Sequence, residues 1–105
     1  MSLDSGSISL SRNIAEWIER EKFTPENPAT APQIATQFHL HPSVIRACIN
    51  LARITGIPIC SNPKGYFYST KREHVEATIA HMENRINKQL AAISGLHAAI
   101  GDDMK

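Results

Sequence analysis

Acidic residues are missing from the middle of this chain. The 105-residue sequence carries ten, yet none lies between residues 27 and 72. Cysteine is scarce: Cys48 and Cys60 sit in apolar surroundings and are too few for a disulfide framework, so both are expected to be buried, reduced thiols. No apolar run approaches the roughly 18–20 residues needed to span a bilayer. The opening MSLDSGSISLS is polar and lacks the apolar core of a secretory signal, so a cytoplasmic protein is expected. Chemistry is sparse as well. There is no Gly-rich phosphate loop and no supported nucleophile–base pairing, so no enzyme and no cofactor are expected. His39 and His41 could begin a metal site, but no third ligand lies nearby and a surface or capping role is expected. His74 and His81, a heptad apart, are expected to be solvated.

The acid gap becomes informative once the charge is divided. The net charge is +1 overall. Residues 1–26 hold five acids and three bases, and residues 73–105 hold the same, so each end is −2. Residues 27–72 hold five bases, Arg46, Arg53, Lys64, Lys71 and Arg72, with no acid. That stretch is the part of the chain suited to a polyanion. A core segment that simply carries few charges would show the same composition.

Periodicity predicts four helices and one hairpin, a mainly α chain with a small β element. Leu10, Ile14, Trp17 and Ile18 repeat at helical spacing and predict a first helix over residues 8–21. Residues 1–7 are expected to be a flexible leader. Pro25 and Pro28 make residues 23–29 a loop. Thr30 and Gln33 have the form of a capping box, with Pro32 in the first turn of a second helix carrying Ile34, Ala35 and Phe38. Residues 39–41 are a break, and Pro42 opens a third helix that runs to Thr55, with Gly56 as its left-handed cap. Ile45, Cys48, Ile49 and Ala52 form its inward stripe, widened by Val44 and Leu51. Ser43, Arg46, Asn50 and Arg53 share the opposite face.

Two helices joined by a short turn, the second with a polar and basic outer face, form a helix-turn-helix. A helix fits the major groove of B-form DNA, where Arg pairs with guanine, Asn with adenine, and Ser reaches a base edge or phosphate. An ordinary amphipathic helix with a solvated side presents the same face. The following segment, GIPICSNPKGYFYST, reads as two short β-prone runs around an Asn-Pro-Lys-Gly turn. Pro58 limits its strand to an edge or bulge, and Gly65 is expected to supply a positive φ. Such a ribbon is marginal alone and must pack through Ile57, Ile59 and one face of Tyr66-Phe67-Tyr68. The tip is left outside with a single cation, Lys64.

This order of elements resembles a winged helix-turn-helix domain. LHPSVIRACINLARITGIPICSNPKGYFYST is similar to the recognition helix and wing of biotin-repressor-type and DeoR-like bacterial regulators, and the resemblance covers residues 8–70. It implies that Ser43, Arg46, Ala47, Asn50 and Arg53 face DNA and that Lys64 lies on the wing. The chain departs by having His39 where such turns often carry Gly, and Pro42 within the recognition helix. No ligase or effector domain is expected after the wing, an organisation that would suit a phage or plasmid regulator.

Residues 71–100 predict a long fourth helix, opened by a Thr70–Glu73 capping box and followed by a flexible tail over 101–105. Lys71 and Arg72 stand unfavourably at its positive dipole end, which makes them candidates for phosphate contact. Ile79, Ile86, Ile93 and Ile100 recur every seven residues, with Val75, Met82, Gln89 and Leu96 at the alternate sites and Leu90 beside them. This is a dimerisation seam of coiled-coil type. A helix folded back on the first helix is the alternative, and Gln89 and Gly95 could mark a bend. The expected protein is a homodimeric double-stranded DNA binder, a transcriptional or replication-control regulator. The competing expectation is a winged-helix module that docks another protein through the last helix.

Overall fold

The computed structural model describes residues 5–103. It orders them as α1 (Ser5–Arg20), α2 (Ala31–Phe38), α3 (Pro42–Ile54), β1 (Ile59–Asn62), β2 (Gly65–Tyr68) and α4 (Arg72–Asp103). The chain is mainly helical, with one antiparallel hairpin and a long C-terminal helix. Helix α1 begins three residues earlier than its apolar stripe indicated, so residues 5–7 of the expected leader are helical. Likewise α4 continues through residues 101–103 of the expected tail. The rest of that leader and tail, 1–4 and 104–105, lies outside the described residues.

The core follows from the helical stripes. Ile14 and Ile18 of α1, Ile34 of α2 and Ile45 of α3 are fully buried, with Ile49, Ala52 and Ile59 packed among them. Truncating one such isoleucine to alanine costs about 2–5 kcal/mol. Trp17 extends the core toward the surface, edge-on to Phe38 and tilted against Phe23. Leu51 is buried as expected, but Val44, expected to widen the stripe, is 37% exposed.

Local signals set the helix ends. The Thr30–Gln33 capping box forms in both directions. His41 caps α3 by accepting the Ser43 N–H at Nδ1, 3.1 Å away. His39 closes α2 in the left-handed region at φ 57°, the position where glycine is the unstrained residue. The expected Thr70–Glu73 box does not form. Helix α4 starts one residue later, and the Ser69 hydroxyl takes the Lys71 N–H instead. That hydroxyl also bonds to His74 Nδ1 at 2.7 Å, and the His74 ring stands edge-on to Phe67. His74 is therefore part of the junction between hairpin and helix rather than a solvated residue.

The hairpin is supported on both faces. Ile59 pairs with Tyr68 and packs into the helical core, while Cys60 pairs with Phe67, both buried on the other side. Ala29, in a segment expected to be plain loop, bridges to the other edge of β2: its N–H and C=O bond to Tyr66 at 2.8 and 2.7 Å. Gly65 is required there, since a Cβ would lie 2.5 Å from the Ala29 carbonyl oxygen. Beyond Cys60 and Phe67, Thr78 of α4 bonds to both backbone groups of Ser61. Helix α4 thus docks on the hairpin and not on α1. From Glu83 to Ala98 every residue of α4 is exposed, and the helix runs unbroken through Gly95. At 32 residues it is about 48 Å long. No described helix is long and apolar enough to cross a membrane.

Candidate nucleic-acid interface

An open cleft of about 530 Å³ lies between the outer face of α3, the hairpin turn and one side of α4. Four cationic side chains line it, Arg46, Arg53, Lys64 and Arg85, together with Asn50 and His81. No acidic residue is among its lining. None of its cations is therefore paired with a carboxylate in the wall, although Arg85 Nη2 lies 3.4 Å from His81 Nε2.

The elements around the cleft fix these groups to different degrees. Arg46 and Asn50 stand one turn apart on α3, both exposed, with backbones held by the core stripe behind them. Lys64 sits at a rigid tip. Asn62 Oδ1 accepts the N–H groups of Lys64 and Gly65, and Asn62 Nδ2 donates to the Pro25 carbonyl at 2.8 Å. The lysine side chain itself remains exposed.

Arg53 has a different task. Its Nε donates to the Ile59 carbonyl at 2.8 Å and its Nη2 to the Ser61 hydroxyl at 3.1 Å. The guanidinium also lies 5.8 Å from the Tyr66 ring centroid. Burial pushes its pKa below the ordinary guanidinium value, although an arginine in such a setting stays charged. Arg53 binds the hairpin to α3 and adds positive potential, but its donors toward strand β1 are occupied.

The remaining sequence candidates fall outside the cleft. Ser43 is exposed at the start of α3, and its hydroxyl lies 2.8 Å from His41 Nδ1. Ala47 is half-buried on the flank of α3. Lys71 and Arg72 are exposed at the start of α4, where Arg72 pairs with Glu76 at 2.8 Å. Arg85 and His81 were not among the sequence candidates. Their separation of four residues shows that they share a face, but only the docking of α4 on β1 turns that face toward Arg46. Of the two thiols, Cys48 is held above its ordinary pKa by burial, and both are free and buried as expected. No group of three or more metal-ligating side chains converges among the described residues.

No known family model matches the chain, and comparison with curated proteins and with solved structures finds no match.

Proposed function

We propose that this protein binds double-stranded DNA as a homodimer, with α3 as the recognition helix of a winged helix-turn-helix, the hairpin as its wing and α4 joining two copies. The role is that of a transcriptional or replication-control regulator. The observation that carries this reading is the acid-free cleft in which Arg46, Asn50, Lys64 and Arg85 converge from three separate elements. Arg46 and Asn50 carry the donors and acceptors that read guanine and adenine edges in the major groove. Lys64 on the hairpin tip and Arg85 on α4 would meet the phosphates that flank the groove. Three cations free of carboxylates and of the hairpin strands make a weak monomeric binder in each head, so two linked heads are needed for useful affinity.

The exposed apolar stripe of α4 favours one other reading, a module that docks a different protein through that helix. A gel-shift titration on random-sequence duplex at two salt concentrations separates them. The DNA reading expects binding that weakens steeply with salt. Absence of duplex binding at low salt would leave the docking module in its place.

A further inference from the structure

The apolar stripe of α4 does not stop where the head begins. Ile79, Ile86, Leu90, Ile93, Leu96 and Ile100 are each 48–67% exposed, and they run as one band along the helix. At its N-terminal end the band enters an apolar groove of about 350 Å³ between α4 and the head, walled by Ile57, Pro58, Ile59, Val75, Ile79 and Met82. The two halves of α4 are therefore unlike. One half carries the head with an unfilled groove beside it, and the other is bare on every side.

We infer that two copies pair antiparallel through α4, so that the bare half of each helix lies in the groove beside the partner's head. This deepens the homodimer part of the function proposed above and does not depend on what the cleft binds. The pairing follows from the heptad. Antiparallel packing sets each a position against a d position of the other helix. Ile79 then meets the partner's Leu96, Met82 the partner's Ile93, and Val75 the partner's Ile100. Gln89 meets the partner's Ile86 beside the two-fold axis, with its own copy about one turn away.

Charge and bulk favour the same direction. Residue 72 is a heptad before Ile79, so a parallel pair would set Arg72 against its own copy. The antiparallel pair sets no like charges across the seam. A parallel pair would also bring both heads to the same level, each with its own hairpin and α3 beside the groove. The antiparallel register puts Thr78, the anchor of each head, about 28 Å from its copy along the helix axis.

Disulfide trapping tests the direction. The native cysteines are buried and common to every variant. Ile79→Cys with Leu96→Cys in one chain should give a covalent dimer in high yield under mild oxidation, and each single variant should give little. Light scattering should show a wild-type dimer at micromolar concentration and an Ile86→Asp monomer with unchanged helicity, since Ile86 does not touch its own head. A covalent dimer from Ile79→Cys alone would mean parallel pairing, overturning the direction while keeping the homodimer. A monomeric wild type would overturn both.

Discussion

Replacing Arg53 with alanine separates a residue that positions the interface from those that touch the ligand. The side chain makes two hydrogen bonds to β1, at 2.8 and 3.1 Å, and stands over Tyr66. A hydrogen bond from a charged donor contributes about 1.5–3 kcal/mol, and a cation over an exposed ring about 0.5–1. Arg53 is only half-buried, so water recovers part of this when the side chain is cut back. The expected net loss is about 2 kcal/mol, which for a chain of this size lowers Tm by about 10 °C. Arg53→Lys keeps the charge but not the planar fork, and should recover less than half of the loss. Thermal unfolding by circular dichroism reads both variants. Duplex affinity should fall for Arg53→Ala with base preference intact, because the hairpin loosens while Arg46 and Asn50 stay in place. An Arg53→Ala protein with wild-type Tm, or an Arg53→Lys protein equal to wild type, would refute this positioning role.

Gly65→Ala drives a Cβ to 2.5 Å from the Ala29 carbonyl and should break the Ala29–Tyr66 rung, costing about 3 kcal/mol in urea unfolding. His39→Gly relieves the left-handed strain at φ 57° and should stabilise by about 0.5–1 kcal/mol after the entropy of the freer unfolded chain is counted. Arg46→Ala and Asn50→Ala should each cost about 1–3 kcal/mol of discrimination between duplex sequences, read by competition binding, with circular dichroism unchanged.

The parts of the fold that could be read from the chain are those whose cause is local. The spacing of Ile14 and Ile18, or of Ile45, Cys48, Ile49 and Ala52, marks a buried helical face whatever lies opposite. The Thr30–Gln33 box and the break before Pro42 depend only on near neighbours. What escaped is non-local. Ala29 is a single bridge residue with no period to reveal it, and the hairpin's second buried face exists only because Cys60 and Phe67 meet α4. Ser69 displaced the Thr70 box because its hydroxyl also meets His74. The same division runs through the candidate site. Arg46, Asn50 and Lys64 were legible from helix phase and turn chemistry. Arg85 was not, because it lies in a segment of net negative charge and reaches the cleft only through the docking of α4. Arg53 was visible as a member of the right face, but its engagement with β1 depends on where the hairpin folds.

The salt dependence of duplex binding tests the central claim most directly. Arg46, Lys64 and Arg85 are the lining cations whose side chains, unlike that of Arg53, make no bond to the hairpin strands. If Lys64 and Arg85 meet phosphates while Arg46 reads a base edge, log K should fall by about 1.8 per decade of salt for each head engaged. The double variant Lys64→Ala with Arg85→Ala should lower that slope by nearly two units. A slope near zero for the wild type, or one that the double variant leaves unchanged, would contradict the account.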